Sequence, residues 1–120
     1  MIKVYGIKTC GSVKKALQFF RQHDIEIEFI DIRKTPIECS KMEYFVLEVG
    51  IEKLFNNKGT KYRQLKLKEL NLDDKAKLEW LCKENMLMKR PVIEYNKKVL
   101  CGVDENLWQK VFIEDNKIKF

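Results

Sequence analysis

Residues 2–32 read IKVYGIKTCGSVKKALQFFRQHDIEIEFIDI, and three periodicities follow one another along them. Ile2-Lys3-Val4-Tyr5 is a short β-prone segment that ends at Gly6. From Gly11 to about His23 the apolar residues Val13, Ala16, Leu17 and Phe20 recur at helical spacing, and Phe19 widens the stripe. From Ile25 to about Ile32 an alternating pattern passes into an apolar run, which predicts a strand. Strand, helix and strand in so short a span suit a βαβ unit with parallel strands.

Working outward, Thr35-Pro36 is expected to open a second helix, with Pro36 near its first turn and Gly50 just past its end. Tyr44, Phe45, Leu47 and Val49 give it a face broad enough to pack on two sides. LFNNKGTKYRQL (54–65) contains a turn at Asn57-Lys58-Gly59, and Asp73-Asp74 begin a helix running to about Glu84. PVIEY, Asn96-Lys97 and KVLCG (91–102) form a hairpin with a two-residue turn, after which Asp104 can cap a last helix. For IEDNKIKF (113–120) the pattern allows a short strand or a loose tail. The predicted order is βαβ, a helical insertion over about 36–88, then ββα, in one α/β domain spanning 1–120. Without the insertion this is a thioredoxin-like, glutaredoxin-type core with a mixed sheet.

Composition narrows the function classes. The chain of 120 residues has 45% hydrophobic and 35% charged residues, and no apolar run approaches the roughly 18–20 residues of a membrane span. The N-terminus is too short and polar for a secretory signal, so a cytoplasmic location is expected. The formal charge of +6 favours anionic partners, but lysines alternate with acids in LKLKELNLDDKAKLEW, and direct nucleic-acid binding is not expected. Cys10, Cys39, Cys82 and Cys101 form no C-x-x-C pair, and His23 is the only histidine, so no metal site is expected. A standing disulfide is not expected in a reducing compartment. Cys82, beside Trp80 and Leu81 in a helix, reads as packing, and Cys39 as a helix residue with no role.

Cys10 stands at the junction of the first strand and the first helix. A helix start carries unpaired N–H groups and the positive end of the macrodipole, and both favour a nucleophilic thiolate. The same donors suit an oxyanion. Gly11 allows close backbone approach, Ser12 offers a hydroxyl donor, and Lys8 adds a cation just before the loop. Arg90-Pro91 stands where the third strand begins; in thioredoxin-like folds a cis-proline there faces the cysteine. That would bring Arg90 near Cys10 to pair with an anion. Cys101 is an alternative resolving thiol for an adduct on Cys10.

With these residues in place, the sequence resembles the arsenate-reductase-like family that includes ArsC and Spx, and is most similar to its uncharacterised branch. VYGIKTCGSVKKAL matches the family's first loop and helix, LFNNKGTKYRQL its mid-chain motif, and MKRPVIEYNKKVLCGV its proline hairpin. The resemblance implies roles for Cys10 and Arg90, with Lys8, Gly11, Ser12, Arg63 and Pro91 around a bound substrate or anion. It also implies glutathione as a co-substrate, no bound cofactor, and glutathione or a glutaredoxin as the thiol partner. The chain departs from glutaredoxin-linked arsenate reductases in lacking a histidine before the cysteine, and no arginine follows Arg90. It departs from Spx-type relatives, which bind RNA polymerase and switch through C-x-x-C, in having Val13 in place of the second cysteine. The expected function is a thiol-dependent reductase acting on an oxyanion or oxidised thiol; the alternative is a non-catalytic Spx-like adaptor that binds RNA polymerase or another protein.

Overall fold

The computed structural model describes residues 1–115. Strand β1 (Ile2–Gly6), helix α1 (Gly11–Gln22) and strand β2 (Ile27–Asp31) form the expected opening unit. Helices α2 (Cys39–Val49), α3 (Ile51–Leu54), α4 (Thr60–Gln64) and α5 (Asp74–Lys83) follow, with 3-10 turns at Leu67–Leu70 and Asn85–Leu87. The chain then returns through β3 (Val92–Tyr95), β4 (Lys98–Cys101) and α6 (Glu105–Trp108), which widens into a π turn over Gln109–Glu114. The four strands lie in the order β2-β1-β3-β4; β1 and β2 are parallel, and β3 is antiparallel to β1 and β4. This is a thioredoxin-like mixed sheet, with helices inserted between β2 and β3.

Alternation along the strands divides the apolar residues between the two faces of the sheet. Val4 and Ile93 face Ala16, Phe19 and Phe20 of α1 and Trp108 and Phe112 at the carboxyl end. Tyr5 and Val92 face the insertion, where Met42, Phe45, Leu54 and Leu81 complete a second core. The hairpin turn works because Asn96 and Lys97 both take left-handed backbone, φ 45° and 62°, which matches the twist of its strands. Asp104 accepts from the Leu107 N–H at 3.1 Å and caps α6 as expected. At the end of α1 it is the His23 backbone N–H, donating to Phe19 and Arg21 carbonyls, that closes the helix.

Three expectations need correction. β2 begins at Ile27, because the Ile25 N–H is turned back onto the Phe20 carbonyl at 2.9 Å. α2 begins at Cys39 instead of near Pro36, because the Ile37 N–H is held by the buried Asn85 Oδ1 at 2.7 Å in place of a helical carbonyl. Finally, Cys39 and Cys82 form a disulfide, with Cα atoms 5.0 Å apart. Packing of α5 against α2 lays the end of one helix beside the start of the other, a juxtaposition invisible across 43 residues of sequence. Of the tail, Ile113 and Glu114 belong to the π turn, and residues 116–120 lie outside the described residues.

Candidate active site

The site is assembled at one end of the sheet. Gly6 ends β1 and allows α1 to sit directly on the strand, since a Cβ there would come within 2.5 Å of Val13 Cγ2. Val13 is completely buried, so the position three residues after Cys10 is a packing position. The Ile7–Cys10 turn is closed by the Cys10 N–H donating to the Ile7 carbonyl at 3.2 Å. Cys10 is the N-cap of α1 and is partly exposed, and its side chain makes no hydrogen bond to the first turn. The N–H groups of Gly11, Ser12 and Val13 therefore lack intrahelical acceptors, as at any helix start, and offer donors beside the sulfur.

The β1–β3 ladder pairs Tyr5 with Val92, so one step further brings Pro91 opposite Gly6. The Arg90–Pro91 bond is cis. The Cys10 loop and the proline thus share one end of neighbouring strands. Arg90 is half-buried, and its Nη1 donates to the Met86 carbonyl and approaches the Met86 sulfur, each at 3.3 Å. Among the described residues no carboxylate lies within ion-pair distance of it. Met86 seats the arginine, and nothing in the sequence motif marked that role.

The other predicted residues divide. An added Cβ on Gly11 meets nothing within 4 Å, so its neighbourhood is open to an incoming group. Ser12 is half-exposed beside it. Lys8 is at the loop, but its Nζ stands 5.9 Å above the Phe29 ring. It lines a groove of about 570 Å³ along β2 with Tyr5, Ile30, Ile37 and Lys41, which sequence reasoning missed. The guanidinium of Arg63 is occupied in its own turn, donating to the Lys58 carbonyl at 2.8 Å and to Thr60 Oγ1 at 3.4 Å. Cys101 is buried, pairs with Val92, and lies two strands from β1. Burial pushes its thiol up to about 11, against the opposing charges of Lys53 and Lys89. It stays protonated at neutral pH and makes a poor resolving nucleophile. Among the described residues no group of three metal-ligating side chains is present, and no helix is long and apolar enough to cross a membrane.

Residues 5–111 match the ArsC family. The chain belongs to the ArsC family. An uncharacterised Haemophilus influenzae protein is 35% identical over 93% of this chain and 99% of its own length. A solved Staphylococcus aureus protein is 36% identical with a TM-score of 0.74, covering 92% of this chain and 97% of that one. The solved YFFB protein is 27% identical with a TM-score of 0.83, covering 90% and 96%. More distant relatives carry two names, arsenate reductase in Neisseria meningitidis at 25% identity and the global transcriptional regulator Spx 2 in Oceanobacillus iheyensis at 26%. Membership of the ArsC family therefore supports a reductase or a Spx-like regulator.

Proposed function

We propose that this ArsC-family chain is a single-thiol reductase that uses Cys10 and an external thiol, glutathione or a glutaredoxin, to reduce an oxidised sulfur. The observation that carries the reading is the placing of an accessible Cys10 at the start of α1 with the buried Val13 where a second helix thiol would be. A disulfide formed at Cys10 needs a second thiolate to release it. Cys101 is buried with a raised pKa, and Cys39 and Cys82 bond each other, so an outside thiol is the natural resolver. The chemistry is an exchange: Cys10 Sγ attacks a disulfide sulfur, the departing half leaves as thiolate, and the incoming thiolate later takes its place on the adduct. Between the two substrate classes, an oxidised thiol is favoured over an oxyanion. Of the two arginines the sequence singled out, Arg63 is spent on its own turn and Arg90 alone stands next to the proline, while Arg33 faces Asp31 at 3.8 Å.

Intact mass after oxidised glutathione should show one added glutathione, absent in Cys10→Ser, and the variant should show no turnover above background. Retained turnover in Cys10→Ser would sink the assignment. A folded protein whose Cys10 resists both oxidised glutathione and alkylation would shift the assignment to a Spx-like adaptor, which the scarcity of arginines at the site also fits.

A further inference from the structure

Between Lys53 and Lys68 the chain carries Lys53, Lys58, Lys61, Arg63, Lys66 and Lys68 and no aspartate or glutamate. Against 24 Lys and Arg and 18 Asp and Glu overall, these six account for the whole net charge of +6, and the remainder of the chain is formally neutral. All but the half-buried Lys61 are exposed. Among the described residues none of the six has a carboxylate within ion-pair distance. The fold gathers three of them. Lys66 takes left-handed backbone, φ 54°, which turns the chain after α4, and Lys66 and Lys68 line one groove of about 340 Å³ with Glu69 and with Arg63, whose guanidinium keeps its charge while donating to the Lys58 carbonyl.

This basic stretch is tied to the thiol site. Asn56 N–H donates to the Leu87 carbonyl and Lys89 N–H to the Leu54 carbonyl, both at 2.8 Å. The segment carrying the cations is thereby stitched to the residues that lead directly into Arg90-Pro91.

We infer that residues 53–68 form the docking surface for an acidic protein that brings its thiol to Cys10, an inference that rests on the single-thiol reading above. A small tripeptide thiol of one net negative charge would use one or two of these cations, whereas an acidic protein surface can meet several at once, the three at the groove among them. Concentrated charge of this kind raises the rate of encounter and orients the partner as it arrives. A nucleic acid is the less favoured occupant, because Tyr62, the groove's aromatic residue, is engaged edge-on with Phe55 at 5.9 Å. In the step served, the partner's thiolate attacks the glutathione sulfur of the Cys10 adduct. The Cys10 thiolate departs and the partner leaves carrying the glutathione, with no net oxidation.

The test compares two reductants on protein glutathionylated at Cys10: a reduced glutaredoxin of net negative charge, and uncharged dithiothreitol. Lys58→Glu, Lys66→Glu and Lys68→Glu combined should slow the glutaredoxin about tenfold or more and flatten its salt dependence, leaving the dithiothreitol rate unchanged. The corresponding glutamine triple variant should give an intermediate loss. Equal glutaredoxin rates in variant and parent, or parallel loss with both reductants, would overturn the inference. Anisotropy with fluorescently labelled glutaredoxin and Cys10→Ser protein reads docking without chemistry. If no adduct forms on Cys10, the reductase reading fails, yet docking that weakens on charge reversal still upholds the surface and undiminished docking refutes it. Charge-sensitive binding of labelled duplex DNA, with no effect on the glutaredoxin, would reassign the patch to nucleic acid.

Discussion

Glu94 shows how a single side chain joins the sheet to the insertion. Its carboxylate accepts from the Tyr5 hydroxyl at 2.8 Å and from Lys41 Nζ at 2.9 Å, linking β3, β1 and α2. Burial alone would push its pKa up, but the bonds from Lys41 and Tyr5 outweigh burial and hold it below the ordinary 4.5. A depressed carboxylate contributes stability that is present above its unfolded pKa and lost as pH falls through the folded one. Glu94→Gln is therefore expected to lose about 1–2 kcal/mol at neutral pH. The gap from the parent should narrow below about pH 4.5. Urea unfolding at pH 7 and pH 3 measures both, and an equal gap at the two pH values would refute the linkage. Cys10, by contrast, was legible from sequence because its position, just past a strand and opening a helix, is itself the chemical signal. Met86, the seat of Arg90, was not, since an apolar residue in a short turn has no pattern that marks a guanidinium partner.

At the scale of elements, α2 and α5 are joined twice over. The Cys39–Cys82 disulfide spans the start of α2 and the end of α5. Close by, the buried Asn85 accepts from the Ile37 N–H and donates to the Leu81 carbonyl at 2.9 Å. Closing a loop of 43 residues is worth about 4 kcal/mol on the chain-entropy model, an upper bound where the open chain keeps structure. Cys39→Ser with Cys82→Ser is expected to lower unfolding stability measurably, and dithiothreitol to weaken the parent but not the double variant. If reductant destabilises both equally, the bridge is not the linked element. Helix periodicity placed α1 and α5 well because their apolar stripes are local, as is the Asp73 cap of α5. The start of α2 was misplaced because Asn85, remote in sequence, supplies the hydrogen bond that keeps Ile37 outside the helix.

Across the whole molecule, one sheet carries two cores, and each holds a tryptophan: Trp80 packs at the insertion side, Trp108 in the opposite core. Both cores draw on the same strands through alternating residues, so they are expected to melt together. Trp80→Phe and Trp108→Phe proteins, each leaving one fluorescent reporter, should each unfold in a single transition, Trp108→Phe at the lower midpoint because it empties a buried site. Within each variant the fluorescence transition should coincide with the far-UV circular-dichroism transition; a fluorescence transition of the Trp80-retaining protein that precedes its own circular-dichroism transition would show the insertion unfolding on its own. The charge belongs to this scale as well. Residues 53–68 carry six cations and no acid in the sequence itself, and it is the pairing of 54–56 with 87–89 that ties this stretch to the residues leading into Arg90-Pro91.

The sequence by itself determined the order of elements, the thioredoxin-like core and the candidate nucleophile. Each rests on local signals: period-2 and helical spacing, caps, turn residues, and a cysteine at a strand–helix junction. Tertiary structure alone decided that Cys39 meets Cys82, that Cys101 is sealed under the insertion, and that the basic stretch is tied to the residues leading into Pro91. Those outcomes depend on packing between segments far apart in the chain. Such packing is set by which faces can be buried together and which polar groups must then find partners.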